Sequence, residues 1–212
     1  MKKLLLVILI VTLTISVQAI DLKDRIQRYG GDNASGLLDL LANAVPDTLS
    51  YIEFLLLNCS PSDLAVLDAE YLMQNVRYAL RSREFAYAQD YDEEIFRHFV
   101  LPHRVSQEPL EDWRPQYYEE LKDIVKDCEA IEEAAILVNI WCLEEMTYKP
   151  THGRDQSGFT SSKRGYGRCE EMMIIYMCAA RAVGIPVRSC SAPYWNFTNS
   201  NHAWIEVWTP DD

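Results

Sequence analysis

Gly165-Tyr166-Gly167-Arg168-Cys169-Glu170-Glu171-Met172-Met173-Ile174-Ile175-Tyr176 is the stretch on which the fold turns. From Cys169 onward, Met172, Met173, Tyr176, Ala179, Ala180 and Val183 recur every three to four residues, which is the period of a buried helix face. Gly184 stands where such a helix ends in a positive-φ residue. The glycine-flanked approach lets the backbone turn tightly and puts Cys169 in the first helical turn. Unpaired N–H groups and the helix dipole favour a thiolate there, the cationic Arg168 is expected to add to that effect, and the same N–H groups suit an oxyanion.

Downstream, Val187 to Ala192 reads as a strand, Pro193 to Asn201 as a polar loop, and His202 to Trp208 as a strand of strict alternation. His202, Trp204, Glu206 and Trp208 fall on one face, and the apolar Ala203, Ile205 and Val207 on the other. His202 therefore points away from the packed side and is placed to reach Cys169, which makes a Cys–His pair for nucleophilic catalysis. Upstream, residues 147–168 are rich in Thr, Ser, Gly, Lys and Arg and predict a long exposed loop. Before it, Ala130 to Glu145 predicts a buried helix, Pro115 opens another through Val125, and Ile95 to Val100 gives a short apolar face closed by Leu101-Pro102. Ser60-Pro61-Ser62-Asp63 carries a cap serine, a first-turn proline and an acid, which predicts a helix of about six turns running to Ala79. Helices first and strands last define an α+β chain.

The remaining features bound the function. Lys2 and Lys3, the apolar run Leu4 to Ile15, and Val17-Gln18-Ala19 form a secretory signal peptide over residues 1–19, so a secreted or periplasmic location is expected. No later segment approaches the roughly 20 apolar residues of a membrane span, and no cysteine follows the cleavage region to carry a lipid, so no membrane anchor is expected. The 212 residues are 49% hydrophobic and 25% charged, enough apolar material for a core, which excludes disorder as the main state. A net charge of -12 argues against nucleic acid and anionic membranes as partners. Cys59, Cys128, Cys142, Cys169, Cys178 and Cys190 are irregularly spaced and read mainly as small buried hydrophobes, with one or two disulfides left open. Cys169, Cys178, Cys190 and His202 lack the close pair of a structural zinc site, so no metal and no cofactor are expected. His98, His103 and His152 read as solvated or satisfied side chains.

Gly167-Arg168-Cys169-Glu170-Glu171, Arg181-Ala182-Val183-Gly184-Ile185-Pro186-Val187-Arg188 and Asn201-His202-Ala203-Trp204-Ile205-Glu206-Val207, in this order and spacing, resemble the core motifs of the transglutaminase-like superfamily over residues 130–212. His103 to Arg114 also looks like the helical segment that precedes the core in secreted bacterial members. The resemblance implies a papain-like core, with a nucleophile helix packed on an antiparallel sheet that carries the histidine. Cys169 would be the nucleophile, and His202 the general base and acid. The implied chemistry runs through a thioester, as acyl transfer from glutamine amides or as amide and peptide hydrolysis, on a peptide, protein or glycopeptide. The expected organisation is a helical N-terminal region over 20–128 and a core over 129–212.

Two departures qualify the likeness. Glu170 stands where glycine is common. The family's third residue, usually Asp on the next strand, is expected beyond residue 212, with Asp211 and Asp212 read as turn residues, so the core is expected to be incomplete. Tyr194 and Trp195, in the loop between the strands, are candidates for an acyl-substrate groove. Of Asn139, Trp141 and Tyr148, one is expected to flank the thioester site, and Trp141 is carried as a third substrate-binding candidate that also reads as core. The alternatives to an exported thiol enzyme are a catalytically silent module that binds peptide or glycan, and a helical scaffold in which the Cys–His pair is coincidental.

Overall fold

Prolines and short capping side chains cut the first half of the chain into helices. The computed structural model describes residues 21–210, so the leader over 1–19 and the turn residues Asp211 and Asp212 lie outside the described residues. Helices α1 (Leu22–Tyr29), α2 (Ala34–Asn43) and α3 (Pro46–Asn58) come first, and Pro46 sits at the start of α3, where its missing N–H leaves no bond unmade. Ser60 caps as expected, its Oγ accepting the Asp63 N–H at 3.0 Å. The helix it opens, α4 (Pro61–Leu64), is one turn long rather than six. Asp68 accepts the Tyr71 N–H at 2.7 Å and starts a second helix, α5 (Ala69–Arg81). Leu64 and Leu67 stay buried across the break, so the apolar period continues while the backbone does not.

A short helix α6 (Glu93–Ile95) runs into a π turn over Phe96–Val100, and α7 (Trp113–Val125) and α8 (Ile131–Glu145) follow. Residues 149–156 form the expected, mostly exposed loop, but the rest of the 147–168 segment is ordered structure. Ser157 caps a helix α9 (Gly158–Arg164), which ends on Gly165 at φ +73, and strand β1 (Thr147–Tyr148) pairs in parallel with β2 (Tyr166–Gly167). Their composition is that of a loop, but their polar groups find partners inside the protein. Glu111 accepts both the Ser157 hydroxyl and the Phe159 N–H, and Phe159 stands edge-on to Tyr117 at 5.2 Å.

Helix α10 (Cys169–Ala182) is the centre of the structure, buried from Met173 to its end and packed against α7, α8 and α9. Gly184, at φ +82, ends it; a Cβ at that position would lie 2.7 Å from the Ser82 carbonyl oxygen. Strands β3 (Val187–Ala192) and β4 (His202–Val207) pair antiparallel, with Val187 opposite Val207 and Ala192 opposite His202. Ala203 is buried toward α10, while His202 and Trp204 lie on the exposed face. Trp208, expected on that open face, is instead half-buried: its N–H donates to Pro186 and its ring meets Tyr91 edge-on at 6.2 Å. The architecture is α+β, and no disulfide forms among the described residues.

Two polar clusters tie the helical half to α10. Arg114 and Arg181 are buried side by side, and no carboxylate pairs with either among the described residues. Arg114 donates to the Asn75 side chain and the Arg181 carbonyl at 2.7 Å and to the Val100 carbonyl at 2.8 Å. Arg181 in turn holds the carbonyls of Phe99 and Arg104, at 3.1 and 2.9 Å. The second cluster joins α4 to the 101–108 segment, where Arg104 grips Asp63 through two bonds, one of them Nε to Oδ2 at 2.9 Å. His103 is buried beside this pair, its Nε2 3.9 Å from Asp63 Oδ2, and neither ring nitrogen makes a hydrogen bond. It is neither solvated nor satisfied, contrary to the reading from sequence, because Tyr71 and the surrounding apolar side chains seal it in.

A pH dependence follows. Burial holds the His103 imidazole below its ordinary range, with Arg104 and Arg114 adding to the effect against the pull of Asp63. Burial alone would raise Asp63, but His103 and Arg104 hold its carboxyl down to about 2. Both folded values lie below the unfolded ones, so both groups contribute stability that is lost on acidification, His103 first, below about pH 6.5, and Asp63 only near its own range. The urea midpoint is expected to fall between pH 7 and pH 5, at up to about 1.4 kcal/mol per pH unit for the one proton taken up. His103→Phe should flatten this limb. An unchanged slope in that variant would assign the acid sensitivity to other groups.

Candidate active site

The start of α10 is built from residues close in sequence. Glu171, at its third position, accepts the Arg168 N–H at 3.1 Å and the Thr151 hydroxyl at 2.8 Å and lies 3.7 Å from Arg164, which fixes the turn that presents Cys169. Gly167 is required for close approach: a Cβ there would lie 2.6 Å from the Met146 methyl and 2.8 Å from the Glu171 Cβ.

Cys169 and His202 open onto one cavity of about 340 Å³ between the C-terminal end of α8, the first two turns of α10 and β4. Its walls are mostly apolar, with Leu143, Met146, Met172, Tyr176 and Ile205 among them, and no Asp, Glu, Lys or Arg side chain lines it. The backbone amides of Ala203 and Glu170 face the Cys169 sulfur, so the strand that carries His202 touches the thiol through its next residue.

The electrostatics differ from the expectation. Burial raises the Cys169 thiol above its ordinary value, the Ala203 amide opposes this, and the Glu170 carboxylate, 3.2 Å from Sγ, reinforces it. Arg168 does not favour the thiolate as expected, because its guanidinium is taken up by Asp155 at 2.5 Å and Glu170 at 3.0 Å. An adjacent cation lowers a thiol's pKa only while its charge is not already matched.

The His202 ring lies between two near-parallel indoles, Trp195 with ring centroids 6.0 Å away and Trp204 at 5.9 Å. Of the proposed substrate-binding side chains, none lines the cavity. Trp141 is half-buried and stands edge-on to Tyr117 at 5.4 Å, as core packing. Tyr194 and Trp195 border a separate shallow depression in the exposed 193–201 loop. Asn139 and Tyr148 do line the cavity. Trp204 was overlooked, although standing two residues after His202 in an alternating strand signals that it shares a face with it. Glu170 and Asn201, which hydrogen-bond to each other, carried no such signal across 31 residues. Cys178 lies inside α10 and Cys190 opposite Trp204, and the described residues contain no group of three or more His, Cys, Asp or Glu able to hold a metal.

Residues 120–212 match the family model of the transglutaminase-like superfamily. The superfamily is of the cysteine-enzyme type, and the match takes in α8, α9, α10 and strands β1 to β4. A similar solved structure is that of a protein from Cytophaga hutchinsonii, provisionally named a cysteine protease: identity is 16%, with 60% of this chain and 44% of that one covered, at a TM-score of 0.44. The chain thus spans less than half the length of that protein. No curated protein matches the sequence.

Proposed function

We propose that the chain is an exported thiol enzyme that transfers or hydrolyses acyl groups of peptide or glutamine-type amides through a thioester on Cys169. The observation that carries this reading is the shared cavity, onto which the first side chain of α10 and the first side chain of β4 both open. In the reaction, His202 takes the thiol proton as Sγ attacks the amide carbonyl carbon, and the Cys169 N–H, free at the helix start, faces the developing oxyanion. The C–N bond breaks as His202 returns the proton to the departing amine. Water or a second amine, deprotonated by His202, then attacks the thioester and releases the thiol. The leader-like residues 2–19 support export.

A silent peptide-binding module is the second reading, favoured by the Glu170 carboxylate beside the resting thiol. Acid-quenched incubation with an activated peptide ester separates the two. The expected result is one acyl increment on the tryptic peptide containing Cys169, removable by hydroxylamine. An intact ester with no adduct on Cys169 would favour the binding module.

A further inference from the structure

Glu170 occupies the junction between the two halves of the site. Its Oε1 accepts a hydrogen bond from the Asn201 side-chain amide, and its Oε2 accepts from the Cys169 thiol at 3.2 Å and from Arg168 Nε at 3.0 Å. Asn201 immediately precedes His202 at the end of an exposed loop, and Glu170 immediately follows Cys169. One carboxylate therefore links the residue beside the nucleophile to the residue beside the histidine. We propose that Glu170 is a positioning residue that sets where His202 stands relative to Cys169 through Asn201, and whose carboxylate, as acceptor of the thiol's hydrogen bond, restrains Cys169 in the resting site. The second half of this proposal is independent of the reaction assigned above; the first half rests on that reading.

The charge and the bridge can be separated, because glutamine keeps an oxygen for the Asn201 amide and loses the negative charge. Glu170 is held ionised: burial opposes this, and the hydrogen bonds from its own backbone, Cys169 and Asn201 prevail. The other charged or titratable groups facing it are Arg168, paired to Asp155, and Cys190 across the adjoining depression. A carboxylate accepting from a thiol disfavours the thiolate, and each unit of thiol pKa changes the thiolate fraction about tenfold at neutral pH.

The experiment has two arms on the full chain. In the first, iodoacetamide labelling of Cys169 is followed by peptide mass across pH 6–9, which needs no turnover. Glu170→Gln should label Cys169 about three- to tenfold faster at pH 7, with its rate profile shifted to lower pH, while Asn201→Ala, which leaves the charge and Arg168 in place, should stay within about twofold of the parent. In the second arm, amide turnover should fall about tenfold in kcat in Asn201→Ala with KM little changed. Unchanged or slower labelling in Glu170→Gln would overturn the role of the charge, and an unchanged kcat in Asn201→Ala would overturn the bridge. If the parent shows no turnover, the reaction assigned to the site fails and the bridge with it, while the labelling arm still decides the charge.

Discussion

Cys169→Ala is expected to lower amine release from peptide amides by at least about 10⁴-fold, and His202→Ala by at least about 10³-fold, with the melting temperature of each close to the parent's. The first loss is the larger because no second nucleophile replaces Cys169 in the cavity: the other lining thiol, Cys142, is buried within α8 and pushed up to about 12. The second follows from the resting thiol's raised pKa, since a sulfur that holds its proton needs a base to take it, and the Glu170 carboxylate beside it disfavours the charge. The two residues act as a unit, so the double variant should be no slower than Cys169→Ala alone. Stability should be little affected, because Cys169 is half-buried at a helix start and His202 is exposed on β4. Turnover within a few-fold of the parent in either single variant would move the chemistry elsewhere.

Arg114→Met is expected to cost at least about 4 kcal/mol of folding stability, the largest effect of any single change outside the site. Arg114 is 2% exposed, and its guanidinium satisfies the Asn75 side chain and the carbonyls of Val100 and Arg181. Methionine fills the volume and leaves the Asn75 side-chain oxygen and the Val100 carbonyl without this donor, at about 1–3 kcal/mol each, while the Arg181 carbonyl keeps only the Gly184 N–H at 3.3 Å. Burial, with Arg181 adjoining, pulls Arg114 down to about 9, so it remains charged at neutral pH, and Arg181, which holds the Phe99 and Arg104 carbonyls, cannot replace its bonds. Arg114→Lys should lose about half as much, since a single ammonium cannot serve three acceptors arranged for a planar fork. Urea midpoints of the three proteins test this, and a methionine variant within about 1 kcal/mol of the parent would sink it. The Arg181 carbonyl lies at the far end of α10 from Cys169, so the cage anchors the helix that presents the thiol.

The parts of the fold that could be read in advance are those where one local pattern dominates. Helix α10 and strand β4 were legible because large apolar side chains recur along each sequence, every three to four residues in the first and every two in the second, although α10 is buried on all sides from Met173 onward. The helix expected over Ser60 to Ala79 was misplaced because the apolar period runs unbroken through Leu64 and Leu67, whereas the backbone is interrupted by the Asp68 cap. The 157–167 part of the expected loop was misread because hydroxyl-rich composition predicts solvent, and the partner that buries those groups, Glu111, lies 46 residues from Ser157.

For this protein the sequence by itself determined that a long strand pair comes after the helices, that Cys169 opens a buried helix and that His202 begins the second strand of that pair, since each depends on contacts within a few residues along the chain. Only the tertiary structure decided what surrounds the sulfur. The Glu170–Asn201 link, the two indoles flanking His202, the withdrawal of Arg168 into its pairs with Asp155 and Glu170, and the displacement of Trp141, Tyr194 and Trp195 from the cavity all depend on which distant side chains meet. A thiol's pKa is set by burial and by charges within a few ångströms, and those neighbours come from packing between elements rather than from the period of any one of them.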